Sequence, residues 1–240
     1  MAFMHDDVIE YSENCETVVD GILSNWPDDL LDKNALKIFK VPAFEELANE
    51  IIGEDKLLGE ELLKGFIIWV QHTHSYNQIR RTDFNFGCLE DYLVYRCRDV
   101  GIEFALGMIK FGYDANVPVS HTYILSNLIH LYNLHMGLVN DLYSFDKEKR
   151  DETNGAVMIN AVDVLQRSRK IPLEEAKGLI RKMIWQLEIQ MHEESVSIER
   201  FGILTQDQHR LVRGLMESAA GNIFYSAVQK RYGGELAALH

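Results

Sequence analysis

The sequence predicts an all-α protein, and three observations support that fold class. Only 4 prolines occur among 240 residues. Long segments repeat apolar residues every three or four positions, as the buried face of a helix does, and no segment shows the alternation of a half-buried strand. Hydrophobic residues make up 47% of the chain, and no stretch has the composition of a linker. We therefore expect a single domain over residues 1–240, with one large core.

The apolar period predicts eight helices, and proline and glycine support several of their ends. Pro42 and Pro118 lie where helices can begin, because proline is tolerated in a first helical turn. Gly202 lies where a helix can end. The helix that ends near 149 is apolar on most sides over its first half, so we expect it in the middle of a helical bundle. The expected helices cover residues 8–23, 44–52, 56–80, 89–111, 121–149, 158–167, 173–198 and 206–232.

Charge and cysteine content exclude several classes of protein. The formal net charge is −13 at pH 7, and Lys and Arg are scattered, so we exclude nucleic-acid binding. No apolar run reaches the length of about 18 residues that spans a bilayer, and the N-terminus lacks the layout of a secretory signal. Cys15, Cys88 and Cys97 form no C-x-x-C pair, which disfavours disulfides and a thiolate zinc site. We expect a cytoplasmic protein without stable membrane insertion.

The most informative polar residues lie in the segment 140–148. Asn140, Ser144 and Glu148 are four residues apart, which places an amide, a hydroxyl and a carboxylate along one face of a helix. These are hard oxygen donors that suit Mg²⁺, which leaves positions open for waters and phosphate oxygens. A solvated helix end is the alternative interpretation, because all three residue types are common at surfaces.

A second acidic cluster lies near the start of the sequence. Asp6 and Glu10 are four residues apart, and Asp7 and Glu10 are three apart, so on a helix their carboxylates converge on one cation or two. Ordinary acidic residues at a helix N-terminus are the alternative, since the helix dipole favours them.

The segment 28–32 matches D-D-x-x-D literally, but it follows a Trp-Pro pair, and we interpret it as a structural helix start.

Two basic features could bind an anion. Arg96 and Arg98 are two residues apart on a predicted helix, so at most one of them can face an interior cavity. A buried guanidinium needs an anion, which either diphosphate or an interhelical salt bridge would supply. Arg231 and Tyr232 end the last predicted helix, where they could donate to a phosphate or form an ordinary basic helix C-terminus.

In combination, these clusters resemble the class I terpene cyclases. The segment 140–148, Asn-Asp-Leu-Tyr-Ser-Phe-Asp-Lys-Glu, is similar to that family's second metal motif, N-D-x-x-S-x-x-K-E, at every specified position. The resemblance implies that Asn140, Ser144 and Glu148 bind a magnesium ion and that Lys147 helps to hold diphosphate. It also implies the family's helical bundle around a central apolar cavity, with three Mg²⁺ ions shared with the substrate diphosphate.

The acidic and C-terminal clusters are similar to two further family features. Asp6, Asp7 and Glu10 resemble the aspartate-rich metal motif in its D-D-x-x-E form. Arg231 and Tyr232 resemble the terminal R-Y pair, which contacts diphosphate when the site closes. The resemblance thus implies that the first three residues are metal ligands and that the last two act on diphosphate.

Arg96 is similar to the family's diphosphate-sensing arginine. Tyr92 precedes it by four residues and Gly101 follows it, as in the corresponding segment of the family. We therefore prefer Arg96 over Arg98 as the catalytic arginine.

The segment 140–188 looks especially like the cyclase domains of fungal enzymes that make di- and sesterterpenes. That likeness implies Mg²⁺-dependent ionisation and cyclisation of a linear isoprenyl diphosphate, with C20 or C25 preferred over C15, and it is compatible with a homo-oligomer. Family members carry several helices ahead of the aspartate-rich motif, whereas five residues precede Asp6, so we expect an N-terminally short cyclase domain. The alternatives are a prenyl chain-elongating synthase and a non-catalytic or partner-dependent helical protein derived from the same fold.

Overall fold

The computed structural model describes residues 42–80, 86–153, 157–229 and 232. These residues form helices and contain no strand, which confirms the all-α prediction. Two 3₁₀ helices lie at Val119–His121 and Tyr123–Leu125. The helix expected over 8–23 lies outside the described residues. The α-helices of the described part are α1 (Pro42–Glu54), α2 (Lys56–Arg80), α3 (Leu89–Asp99), α4 (Ile102–Gly112), α5 (Ser126–Glu152), α6 (Ala161–Arg169), α7 (Leu173–Phe201) and α8 (Gln206–Val228).

The spacing of apolar residues predicted the positions of most of these helices to within a few residues. The bounds of α2 are those expected, and α1, α7 and α8 differ from the expected ranges by a few residues at their ends. Helix α5 begins at Ser126 instead of 121, because the two 3₁₀ helices take up the preceding residues. Helix α6 begins three residues later than expected, because Asn160 caps it by accepting a hydrogen bond from the Val162 backbone N–H.

The expectation of one continuous helix over 89–111 is wrong. Helix α3 ends at Asp99 and α4 begins at Ile102. Gly101 between them has a φ of 76°, in the left-handed region where an α-helix cannot continue. A Cβ at this position would lie 2.7 Å from Trp69 Cδ1, so a side chain would also clash. Apolar spacing could not reveal the break, because both halves keep the helical period.

The chain divides into two compact units, and the first contains α1, α2 and α4. Helices α2 and α4 approach closely at Gly107, where a Cβ would lie 2.7 Å from Leu62 Cα. The rings of Phe66 and Phe104 meet edge to face, with 5.3 Å between their centroids. Close backbone approach and aromatic packing together hold this helix pair. The expectation of a single domain stays a prediction.

The second unit contains α3 and α5 to α8, and α5 is its central helix. Helix α5 packs against each of the other four helices of this unit. Leu128, Tyr132, Leu138 and Phe145 on α5 are at most 2% exposed. Burying each such side chain stabilises the fold by about 1.5–3 kcal/mol relative to exposure. Within the described ranges, no helix is long and apolar enough to cross a membrane.

Candidate metal centre

Three oxygen-bearing side chains follow one face of α5 near its C-terminal end. Asn140, Ser144 and Glu148 are about one helical turn apart, and we call these three residues the metal row. The Ser144 hydroxyl donates a hydrogen bond to Glu148 Oε1 at 2.5 Å, so these two members of the row are in contact. Ser144 is buried, and Glu148 is partly buried. Charges in such a partly shielded place interact more strongly than they do in bulk water.

Asp141, which follows Asn140 on α5, is fully buried and ion-paired. Its Oδ1 accepts a hydrogen bond from Arg96 Nε at 2.9 Å. Its Oδ2 accepts from the Tyr92 hydroxyl at 2.5 Å and from the Ala161 backbone N–H at 3.0 Å. Burial raises the pKa of Asp141, whereas the Arg96 charge and the two donors to Oδ2 oppose that rise. Asp141 therefore ties α3, α5 and the start of α6 together.

The Arg96 guanidinium on α3 donates hydrogen bonds to three acceptor residues. Nη1 donates to Asp99 Oδ2 at 2.5 Å, Nη2 donates to Asn140 Oδ1 at 2.7 Å, and Nε donates to Asp141. Burial lowers the pKa of Arg96, but the surrounding acidic groups more than offset this and hold the pKa well above its usual value. The guanidinium is therefore charged. Arg98 is exposed, so Arg96 is the arginine of this pair that lies beside the metal row.

The protonation of Glu148 depends on its burial. Burial raises the pKa of Glu148 to about 7, and the charge of Asp141 contributes further to the rise. Hydrogen bonds from Ser144 and from Asn160 Nδ2, the latter at 3.1 Å from Glu148 Oε2, oppose it in part. A cation beside this carboxylate would favour its charged form and offset the cost of burial.

The metal row fits a divalent cation such as Mg²⁺. An amide oxygen, a hydroxyl and a carboxylate are hard donors, and so small a set leaves coordination positions for waters and phosphate oxygens. Asn140 Oδ1 accepts a hydrogen bond from Arg96, and a carbonyl oxygen has a second lone pair for a cation. In the described part of the chain, no group of three His, Cys, Asp or Glu side chains is arranged to hold a metal.

Tyr232 contacts the metal row, whereas Lys147 forms an ion pair within its own helix. The Tyr232 hydroxyl accepts a hydrogen bond from Asn140 Nδ2 at 3.0 Å, and the residue is buried. Lys147 Nζ lies 3.0 Å from Asp151 Oδ2, one helical turn further along α5.

Several expected site residues lie outside the described residues. They include the acidic cluster of Asp6, Asp7 and Glu10, the segment 28–32, and Arg231. The expected roles of these residues stay predictions.

Sequence reasoning assigned no role to Asp141 or Asn160. A signal for Asp141 exists, because a carboxylate within an otherwise apolar stretch of helix has to be paired when it is buried. Asn160 carries the signal of a helix N-cap, since asparagine is preferred there. Its hydrogen bond to Glu148 has no local signature, because it depends on how α6 packs against α5.

The chain matches the family model described as terpene synthase family 2, C-terminal metal binding, over residues 1–190. It is 30% identical over 232 residues to terpene cyclase aneC of Aspergillus aculeatus, covering 96% of this chain and 52% of that protein. It is 29% identical to terpene cyclase 6 of Gibberella fujikuroi, covering 97% of this chain and 60% of that protein. It is 24% identical to a bifunctional sesterterpene synthase of Aspergillus aculeatus, of which it covers 33%. The chain therefore spans less than two thirds of each of these relatives.

Two solved structures have a similar fold. Aristolochene synthase from Penicillium roqueforti matches with a TM-score of 0.65 and 22% identity, over 93% of this chain and 74% of that chain. An α-eudesmol synthase matches with a TM-score of 0.66 and 16% identity, over 94% of this chain and 75% of that chain. These likenesses confirm the expected class I terpene synthase helical fold. Because the family model also covers most of the sequence, the chain belongs to the terpene synthase family.

Proposed function

We propose that this chain is a Mg²⁺-dependent class I terpene cyclase that ionises a linear isoprenyl diphosphate and cyclises the resulting carbocation, with release of diphosphate. The observation that carries the proposal is the contact of Arg96 and Tyr232 with Asn140, the first residue of the metal row. An anion-binding guanidinium beside hard oxygen donors suits a diphosphate bound through divalent cations. Magnesium is the proposed metal, with three ions shared between the protein and the diphosphate.

The first chemical step is cleavage of the carbon–oxygen bond to diphosphate. Both electrons of that bond leave with the diphosphate, and an allylic cation remains. Bound Mg²⁺ supplies positive charge that stabilises the leaving anion. Arg96, Lys147, Arg231 and Tyr232 are the proposed protein donors to that anion. Their N–H and O–H groups act where negative charge develops, which lowers the barrier to ionisation.

Arg96 is already oriented and charged for this role. Its three acceptors hold the guanidinium in one orientation before any substrate arrives, and its high pKa keeps it charged. A preoriented donor loses little entropy when it binds the anion. The acceptor Asn140 Oδ1 belongs to the metal row, so Arg96 and a cation held by the row would act on the same end of the substrate.

The later steps need water to be excluded. A double bond of the isoprenoid attacks the cation to close a ring, and loss of a proton then yields a hydrocarbon. Water would capture the cation if it reached it, so apolar side chains have to surround the isoprenoid. The proposed substrates are the C20 and C25 diphosphates, with C15 as a further candidate. The resemblance of residues 140–188 to fungal cyclase domains and the relative named as a sesterterpene synthase support this preference.

Incubation of the purified chain with Mg²⁺ and C15, C20 or C25 isoprenyl diphosphate tests the proposal. The expected result is a cyclic hydrocarbon and free diphosphate, both lost when EDTA removes the metal. A longer linear diphosphate as product would instead show a prenyl chain-elongating synthase. The absence of turnover with all three substrates would favour a non-catalytic or partner-dependent protein.

A further inference from the structure

Asn160 lies directly before α6, and its side chain is fully buried. Its Oδ1 accepts a hydrogen bond from the Val162 backbone N–H at 2.9 Å. Its Nδ2 donates to the Asp141 carbonyl oxygen at 2.8 Å and to Glu148 Oε2 at 3.1 Å. An amide nitrogen has two hydrogens, and each of these two bonds uses one. The bond from Val162 also fixes the orientation of the amide, because a reversed amide would place its NH₂ group against a backbone N–H.

The two hydrogen bonds from Nδ2 reach opposite ends of the metal row. Asp141 directly follows Asn140, the first residue of the row, and Glu148 is the last. Glu148 Oε1 accepts from Ser144, and Oε2 accepts from Asn160. Donors on both oxygens hold the carboxylate against rotation. Ser144 belongs to the same helix and the same row, so of these two donors Asn160 is the one that fixes Glu148 from a different part of the chain.

We infer that Asn160 is a positioning residue of the metal centre, which holds the Glu148 carboxylate in the orientation that binds a cation. This inference rests on the proposed function, because it requires a cation at Glu148. Asn160 presents N–H groups to the row and so does not itself bind the metal. A ligand held by such an outer partner is ordered before the cation arrives, and loss of the partner typically weakens metal binding by about 10–100-fold.

The capping role of Asn160 and its hold on Glu148 can be separated by substitution. Serine caps helices about as well as asparagine, because its hydroxyl oxygen also accepts from the backbone N–H. The serine hydroxyl is one bond closer to the backbone than Asn160 Nδ2 is and carries one hydrogen in place of two, so N160S keeps the cap on α6 and breaks the hydrogen bond to Glu148. N160T has the same property and serves if N160S does not fold. Thr205, which caps α8 by accepting from the Gln208 backbone N–H, offers a control cap away from the metal row.

Mn²⁺ binding measured by electron paramagnetic resonance, in the presence of inorganic diphosphate, tests the inference without any turnover. N160S is expected to bind Mn²⁺ about 10–100-fold more weakly than the wild type. T205A is expected to melt at a lower temperature than the wild type and to bind Mn²⁺ equally well. In turnover assays the Mg²⁺ concentration for half-maximal activity should rise in N160S, and activity should recover at high Mg²⁺. A purely structural defect would not recover in this way.

Two results would overturn the inference and leave the proposed function standing. One is wild-type Mn²⁺ affinity in N160S, and the other is an equal loss of affinity in N160S and T205A. A wild-type chain that binds no Mn²⁺ with diphosphate and turns over no substrate would overturn both the inference and the proposed function.

Discussion

Arg96 Nη2 donates a hydrogen bond to Asn140 Oδ1 across 2.7 Å, joining α3 to the first residue of the metal row. The same guanidinium is ion-paired with Asp141 and Asp99. The proposed diphosphate-binding arginine and the proposed metal ligands therefore belong to one hydrogen-bonded network. A change in one of them should alter the orientation or the charge of the others.

Replacement of Arg96 by alanine should lower the free energy of unfolding by about 3–5 kcal/mol, because the fully buried Asp141 would lose its ion-pair partner. Arg98 lies on the same helix but is exposed, so R98A is a matched control that should stay within about 0.5 kcal/mol of the wild type. Urea denaturation followed by circular dichroism measures both values. Similar losses in the two variants would show that Arg96 does not compensate a buried charge.

The substitutions N140A and E148A should each lower Mg²⁺-dependent turnover by about 100-fold or more, because each removes an oxygen ligand of the Mg²⁺ that stabilises the leaving diphosphate. Both variants should keep the helical circular dichroism spectrum of the wild type. Asp146 lies in the same stretch of α5, but it is exposed and pairs with Lys177 at 2.9 Å, so D146N is the control and should keep its activity. Full activity in N140A and E148A would refute the assignment of the metal row.

Gly101 should resist substitution for reasons of backbone conformation. G101A should lower the free energy of unfolding by about 1–2 kcal/mol through its left-handed φ of 76° alone, and the contact with the Trp69 ring adds to that loss. Gly178 in α7 has no atom within 4 Å of an added Cβ. G178A should therefore stabilise the protein by about 0.5–1 kcal/mol, because alanine favours a helix interior over glycine. Thermal or urea unfolding distinguishes the two, and stabilisation by G101A would contradict the break between α3 and α4.

His135 should reduce the stability of the folded chain in mild acid, whereas the raised pKa of Glu148 acts in the opposite direction over the same pH range. This histidine on α5 is fully buried, and its Nε2 lies 3.5 Å from Glu188 Oε1. Burial lowers the pKa of His135, and Glu188 opposes that effect in part. The unfolded chain therefore binds this proton more readily than the folded chain does. The stabilisation is complete above the unfolded pKa of about 6.5 and is lost as the pH falls below it.

Urea midpoints of the wild type and of H135Q, at neutral pH and at about pH 5.5, measure this effect. Glutamine cannot take up a proton, so the wild type should lose more stability between the two pH values than H135Q does. Equal losses would show that His135 does not contribute to the acid sensitivity of the fold.

The local part of the candidate site could be predicted from the sequence. Asn140, Ser144 and Glu148 share a face because they are four residues apart on a helix. The spacing and the apolar pattern that predicts the helix can both be read from the sequence. The sequence also showed that Arg96 and Arg98 point to different sides of their helix. The spacing could not show which of them lies beside the metal row, because that depends on the position of α3 relative to α5, and the preference for Arg96 came from the family resemblance. The break at Gly101 was missed for a different reason, since one left-handed residue hardly changes the apolar pattern around it.

By itself, the sequence determined most of the described helices and the order of oxygen donors along α5, because helix geometry depends on residues within a few positions of one another. Only the tertiary structure decided that Asn160 holds Glu148, that Arg96 meets Asn140, and that Tyr232 meets Asn140 from the end of the described chain. These pairs are 12, 44 and 92 residues apart. Contacts at such separations form when whole helices bury their apolar faces against each other, and no short segment contains the information that sets that packing.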